Sequence, residues 1–376
     1  MKHIRSKPRF LILEVINPQN QTEWVLNAMA EAEQLVKTYG GDIITKEVQH
    51  RVKPHPNTYV GTGKVEWLLQ TVKDQEIDVV VVNNIVNSGQ LFRLEKALWK
   101  VNTRIKVWDR VDLILNIFEL HAKSTEAKLQ IELARIQHAG PRIFGLGGTE
   151  LSRQGAGIGT RGLGETNIEK ERRLIKDRTR KLKKELKKLS KRQHQRIQQR
   201  QQQGMKTVAL VGYTSAGKTT LFNQLTHKKK QTNQQLFTTL ESVVGRIEGA
   251  PSMDEVLVSD TIGFIENLPP FLVETFRSTL FESLEATVVL HVIDASDPHM
   301  TEKIRAVEEI LDDVGVEQAR LFVFNKLDLV EAEELEKLRA QYPEAAFVSA
   351  QMGDGVEELV ERVVYWGEKP VEPTEV

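Results

Sequence analysis

Gly212-Tyr213-Thr214-Ser215-Ala216-Gly217-Lys218-Thr219-Thr220 lies between an apolar run, Thr207-Val208-Ala209-Leu210-Val211, and a segment of helix formers, Leu221-Phe222-Asn223-Gln224-Leu225. Strand, glycine-bounded loop and helix in that order make the setting of a phosphate-binding loop. The glycines let successive backbone N–H groups turn onto phosphate oxygens, and the helix behind them adds its positive N-terminus. Lys218 is then placed to reach the β and γ phosphates, and the Thr219 hydroxyl to ligate Mg²⁺.

Three later segments complete the pattern. Asp260-Thr261-Ile262-Gly263 follows the apolar Val256-Leu257-Val258, so a carboxylate at a strand tip can hold the Mg²⁺ shell and the Gly263 N–H can sense the γ phosphate. Leu321-Phe322-Val323-Phe324 runs into Asn325-Lys326-Leu327-Asp328, whose last carboxylate can accept two hydrogen bonds from guanine N1–H and the exocyclic amine. Adenine has no such donor pair. Ala346-Phe347-Val348 leads into Ser349-Ala350-Gln351, a turn whose N–H groups can meet guanine O6. The four elements, each after its own strand, imply a Ras-like P-loop domain of α/β class that binds and hydrolyses GTP, spanning residues 205–367. In Ras-type GTPases a glutamine after the Asp-x-x-Gly element orients the attacking water; here Phe264 stands there and cannot. The expected intrinsic hydrolysis is slow, with catalysis completed by a partner or by a side chain elsewhere, and no catalytic side chain is assigned.

The chain has 376 residues, 40% of them apolar, enough for two or three domains with real cores. It contains no cysteine, which excludes disulfides and thiolate metal sites and fits a reducing cytoplasm. The basic N-terminus is followed by an apolar run interrupted by Glu14 and by Asn17-Pro18, so neither a signal peptide nor membrane insertion is expected. The histidines show no metal-ligand spacing. The formal net charge is zero, but residues 170–200 hold fifteen Lys/Arg against three Asp/Glu. That segment carries +12 and the remainder −12.

Residues 1–108 alternate strand and helix: a strand at Phe10–Ile16, a helix from Thr22 to Tyr39 stopped by Gly40-Gly41, a helix at Lys64–Lys73, a strand at Asp78–Val82, a helix at Gln90–Trp99 and a strand at Arg104–Trp108. This predicts a small α/β domain with a largely parallel sheet. Residues 109–204 read as a long antiparallel helical hairpin. One helix is expected from Asp109 to His138, with Leu129, Leu133 and Ile136 at helical spacing, ended by Gly140-Pro141. A glycine-rich loop follows over 145–166, too long to be a simple connection. A basic helix spans 168–200, where Ile168, Ile175, Leu182 and Leu189 recur every seven residues as a seam for a partner helix. The glutamine-rich 198–204 reads as a frayed linker, and 368–376 as a short tail.

Two glycine patterns are set aside. Gly157–Gly162 matches a dinucleotide fingerprint but follows no strand, and Val60–Val65 lacks the first glycine of a phosphate loop, because residue 58 is Thr58. The basic helix interleaves few acids and few aromatics, so the expected contact is with phosphate backbones and not with stacked bases. Candidate RNA contacts are Arg153 and Arg161 in the glycine segment and Arg178, Lys181, Lys184 and Lys188 on the helix. No DNA partner is expected.

Over nearly its whole length the chain resembles HflX-type GTPases, members of the Obg-HflX group. The resemblance is carried by Asp109-Arg110, Ile117-Phe118, Glu126 to Gln130, Glu132-Leu133, Pro141-Arg142, Gly157-Ile158-Gly159, Gly162 to Thr166 and Arg172-Arg173. Added to these are the phosphate loop, Leu236 to Leu240, Asp260 to Ile265 and Leu268-Pro269. It implies a GTPase, monomeric when free, that binds the large ribosomal subunit and splits stalled or idle ribosomes in its GTP state, with the hairpin reaching ribosomal RNA. The alternative is a GTP-gated RNA-binding factor in ribosome assembly or RNA remodelling that splits nothing. By similarity the first switch is Phe237, Thr238, Thr239, Leu240 and Glu241, with Thr239 joining Thr219 on Mg²⁺. The family commonly has asparagine at Ser215, a residue associated with potassium-stimulated hydrolysis in related GTPases, so the resemblance does not carry potassium dependence over to this chain.

Overall fold

Arg9–Ile16 forms β1, buried on both faces, as the unbroken apolar run of a central parallel strand requires. The computed structural model describes residues 7–20, 23–154, 167–228, 237, 243–248, 256–261, 263–265, 269–276 and 285–366. After β1 come α1 (Glu23–Tyr39), β2 (Asp42–His50), α2 (Thr62–Asp74), β3 (Val79–Val82), α3 (Ser88–Leu98) and β4 (Lys106–Asp109). The four strands make one parallel sheet in the order β2-β1-β3-β4. Leu11, Leu13, Val80, Val82, Leu91, Leu94 and Val107 fill the core on one face, each buried side chain contributing about 1.5–3 kcal/mol. The expected small α/β domain is present, with β2 as an additional edge strand.

The chain then departs from the expected single helix. Helix α4 covers Arg110–His121 and α5 covers Thr125–Gln154. The break has a local cause: the Ser124 hydroxyl accepts the Ala127 N–H at 3.1 Å, starting a new helix as an N-cap. Helix α4 has its own reciprocal cap. Asp109 Oδ1 accepts the Asp112 N–H at 2.8 Å, and Asp112 Oδ2 accepts the Asp109 N–H at 3.4 Å. His138 of α5 joins this cap, its Nε2 lying 3.0 Å from Asp109 Oδ1, so three ligand-type groups meet that sequence spacing did not bring together. Here they serve to seat α5 on the start of α4.

Gly140-Pro141 does not end α5, which runs on to Gln154, so residues 145–154 are helical and not part of a loop. A proline inside a helix removes one donor and costs about 3 kcal/mol, a local penalty that a 30-residue helix with turns on both sides absorbs. The rest of the glycine segment, 155–166, lies outside the described residues.

Helix α6 spans Asn167–Gln202 and absorbs the glutamines expected as a linker. Glutamine is a good helix former, and the stop falls at Gly204, whose φ of 77° lets the Met205 N–H reach back to Arg200 O at 3.0 Å. Of the seven-residue seam, Leu182 is buried and Ile175 and Leu189 half-buried, with Leu186 half-buried between them and Ile197 buried one residue off the repeat; the side chain of Ile168 lies outside the described residues. Arg178 joins α6 to α5 through two hydrogen bonds to Glu132, both 2.6 Å.

The chain packs as two compact units, Met1–Leu120 with Lys128–Leu186, and His121–Ala127 with Lys187–Val376. The second contains β5 (Lys206–Val211), α7 (Lys218–Thr226), β6 (Val243–Arg246), β7 (Val256–Asp260), α8 (Pro270–Thr275), β8 (Val288–Asp294), α9 (Met300–Val314), β9 (Arg320–Asn325), α10 (Ala332–Gln341), β10 (Ala346–Phe347) and α11 (Val356–Trp366). Its sheet order is β10-β9-β8-β5-β7-β6, parallel except for β6. The chain leaves β5 toward one side of the sheet and later fills the other. The C-terminal end of β5 is therefore the switch point where open α/β sheets bind ligands.

Candidate functional site

The loop after β5 stands at that switch point, and its backbone shows why glycine is needed. Gly212 has φ 143°, and a Cβ there would sit 2.2 Å from Val292 O. Gly217 has φ 93°, and its Cβ would sit 2.1 Å from Asn325 Nδ2. Ser215 also takes a left-handed φ of 64° and is exposed, whereas Tyr213, Thr214, Ala216 and Lys218 are buried. Thr220 follows in the first turn of α7, half-buried.

Lys218 folds back over the loop, its ammonium donating to Gly212 O at 2.9 Å and Tyr213 O at 2.7 Å. Burial disfavours its charge and pulls its pKa down to about 8, against the opposing pull of Asp260. Thr219 Oγ1 donates to Asp260 Oδ2 at 3.0 Å, so the two expected magnesium-binding oxygens are neighbours. Asp260 and Thr261 are fully buried at the end of β7, and Thr261 Oγ1 donates to Leu210 O at 2.7 Å. Gly263 lies against the loop: a Cβ there would come within 3.0 Å of Lys218 Nζ.

Phe264 is more than a missing glutamine. Its side chain is 2% exposed, and its backbone pairs with the phosphate loop, the Phe264 N–H reaching Gly212 O at 3.1 Å and the Thr214 N–H reaching Phe264 O at 2.7 Å. It is a core residue fastening the Asp260 segment to the loop.

The segments expected to bind guanine converge on the same edge. Asn325 is the link: its Nδ2 donates to Ala216 O at 2.8 Å, and its Oδ1 accepts the Ala350 N–H at 2.9 Å. Lys326 adopts a left-handed φ of 67°, Leu327 and Asp328 follow in a short helical turn, and Asp328 Oδ1 accepts the Ser349 hydroxyl at 2.5 Å. Gln351 is exposed at the turn after Ala350. Of the first switch only Phe237 is described, buried with φ 57°; Thr238, Thr239, Leu240, Glu241 and Ile262 lie outside the described residues.

Sequence reading missed the end of β8. Asp294 holds the Lys326 ammonium at 2.5 Å, and Lys303 stands 4.9 Å over the Tyr213 ring. The signal was there in Val288 to Asp294, an apolar run ending in an acid, as in Val256 to Asp260. Among the candidate RNA contacts, Lys181, Lys184 and Lys188 are exposed on α6 opposite its buried seam, while Arg178 is engaged with Glu132. The side chain of Arg153 and all of Arg161 lie outside the described residues.

Three family profiles match: GTP-binding GTPase N-terminal over residues 27–119, GTP-binding GTPase Middle Region over 121–200, and 50S ribosome-binding GTPase over 207–326. The chain is 39% identical over 360 residues to GTPase HflX of Caldanaerobacter subterraneus subsp. tengcongensis, covering 96% of this chain and 80% of the relative. Identity to GTPase HflX of Escherichia coli K12 is 38% over 334 residues, covering 88% and 77%. A crystal structure of SsGBP with GDP matches in fold with TM-score 0.52 at 24% identity, covering 96% of this chain and 98% of that one.

Proposed function

The chain belongs to the HflX family of GTPases, and from that premise we propose that it binds the large ribosomal subunit and, with GTP in its site, drives ribosomal subunits apart. It is a GTPase. The observation that carries the ribosome reading is α6: Lys181, Lys184 and Lys188 stand exposed along one side of a helix whose opposite side is buried. A row of exposed cations in a segment that holds fifteen Lys/Arg against three Asp/Glu is a surface for phosphate backbones. The match of residues 207–326 to a profile described as 50S ribosome-binding supports the same partner.

Mg²⁺ fits the site. Thr219 Oγ1 and the buried Asp260 carboxylate are adjacent hard oxygens of the kind this ion takes, directly or through water. When bound it neutralises charge on the β and γ phosphates. The chain's own groups do the rest: Lys218 leaves its carbonyl partners for the phosphates, loop N–H groups hold them, and Asp328 selects guanine. Thr239 is the proposed second magnesium ligand from the first switch. With Phe264 in the core, water must be oriented by a group from elsewhere, and the ribosome is the partner that supplies or positions it. Lys218→Ala and Thr219→Ala should abolish turnover with or without ribosomes.

Sucrose-gradient sedimentation of intact ribosomes with this protein and GTP or a non-hydrolysable analogue tests the proposal. Accumulation of free subunits is expected. Binding without separation would replace it with the reading of a GTP-gated assembly or RNA-remodelling factor.

A further inference from the structure

Beside the guanine elements, the corner between β8 and α9 carries a group that neither binding nor hydrolysis has used so far. Asp294 closes β8 and lies level with Asn325 of β9 in the parallel register. The Ala295 N–H donates to Asn325 O at 2.9 Å, so the corner is fixed to the guanine segment by backbone as well. The Asp294 carboxylate has its own holders: Oδ1 accepts the Ser296 N–H at 3.1 Å and the Ser296 hydroxyl at 2.6 Å. That leaves Oδ2 aimed at the Lys326 ammonium, 2.5 Å away.

Lys326 needs such a partner. It is not glycine, yet its φ is 67°, in the left-handed region that side chains with a Cβ rarely enter. The conformation turns the chain so that Asn325 faces the phosphate loop while Asp328, three residues on, faces Ser349. An unfavoured backbone state persists only where its surroundings over-determine it. Asn325 fixes one side of the turn and Asp328 with Ser349 the other. The Asp294 pair fixes the side chain between them.

We propose that Asp294 is a positioning residue for guanine nucleotides, acting through Lys326 to hold the Asn325–Asp328 turn in its nucleotide-binding shape. It touches no nucleotide itself. Its contribution is to affinity, shared equally by GDP and GTP because the base is common to both, and not to the chemical step.

The test is equilibrium binding of fluorescent GDP and a GTP analogue to the full chain, with steady-state hydrolysis alongside. Asp294→Asn keeps the shape and removes the charge. The pair is partly exposed, with side chains 30% and 19% accessible, so the expected loss is about five- to ten-fold in both affinities. KM should rise by a similar factor while kcat at saturating GTP stays within about two-fold of the parent. Asp294→Glu keeps the charge and should recover most of the loss, which a merely space-filling role would not produce. Adding Lys326→Met to Asp294→Asn should cost less than Lys326→Met costs in the parent, because the pair is already broken. Unchanged affinities, a fall in kcat at constant KM, or full additivity in the double variant would overturn the proposal. If Asp294→Asn does not fold, Ser296→Ala carries the test: it frees the Asp294 carboxylate by one hydrogen bond and should weaken both nucleotides about two- to three-fold, and unchanged binding would overturn the proposal equally. None of these readouts involves ribosomes, so the result stands apart from the subunit-splitting reading.

Discussion

Lys218 shows how a single side chain sets the conditions for nucleotide binding. Its pKa of about 8 belongs to the free protein, where burial opposes the charge. Phosphate would restore the charged form, so binding above pH 8 must take up a proton. GDP affinity should therefore fall by about ten-fold from pH 7 to pH 9 in the parent, one pKa unit being ten-fold in the equilibrium. Folding shows the opposite sign. Below about 8 both folded and unfolded chains carry the proton and the full cost of burying the ammonium is present; between about 8 and 10.5 the folded state releases it first, so the free protein gains stability as pH rises. A pH-independent GDP affinity would show that Lys218 stays charged throughout. Asp328, the proposed guanine acceptor, would govern selection by a different route. Asp328→Asn should weaken GTP by about ten-fold or more and shift preference toward xanthine nucleotides, since two charge-assisted bonds from guanine are lost and an amide can donate instead. Competition between GTP and XTP reads this directly.

At the level of elements, α6 divides its labour between two sides. The seam through Ile175, Leu182, Leu186, Leu189 and Ile197 packs inward, and Lys181, Lys184 and Lys188 face outward. Changing these three lysines to glutamine removes up to three phosphate contacts, so the slope of log affinity for ribosomal RNA against log salt should flatten by about 0.7 to 0.9 per contact. Arg178→Gln should act differently, because its guanidinium is held by Glu132: it should loosen the pairing of α5 with α6 more than it changes the salt slope. Filter binding across a salt series, with thermal melting of each variant, separates the two effects. The seam was legible in the sequence because burial imposes a seven-residue period that composition cannot hide. So were β1, β5, β7 and β9, whose runs are apolar on both faces. Strand β2 was not, since an edge strand containing Thr45, Lys46 and Glu47 lacks that signature. Pro141 and the glutamines of 198–202 were misread for a related reason: local propensity is a weak prior, and the long helices override it. In the proposed nucleotide site the phosphate loop, Asp260 and Asn325–Asp328 stand out in the sequence because phosphate and guanine recognition would dictate their residue types, and the fold brings them to one edge of the sheet. Asp294 was not, because it serves Lys326, and only the register of β8 against β9 brings the two together.

Across the whole molecule, charge and catalysis point to the same partner. Residues 170–200 carry +12 and the rest of the chain −12, so most of the chain disfavours a polyanion while one helix attracts it. That asymmetry favours docking in one orientation over general adhesion to RNA. On the proposed reading the catalytic side is also completed by the partner, because Phe264, buried and tied by its backbone to Gly212 and Thr214, stands where a Ras-type GTPase has its water-orienting glutamine. Recruitment and rate should then be coupled. The parent should hydrolyse GTP slowly by itself and at least about ten-fold faster with large subunits, a modest demand beside the 10³-fold or greater acceleration that a supplied catalytic group gives in related systems. In the Lys181, Lys184 and Lys188 variant the unstimulated rate should match the parent, since these residues precede the nucleotide-binding domain. Half-maximal stimulation should require more subunits at moderate salt and approach the parent's requirement as salt is lowered, because electrostatic screening weakens with the remaining cations still in place. Measuring GTPase rate against large-subunit concentration at two salt levels decides the matter. Stimulation that is absent in the parent, or insensitive to the three lysines at every salt level, would separate hydrolysis from the cationic helix and sink the coupling.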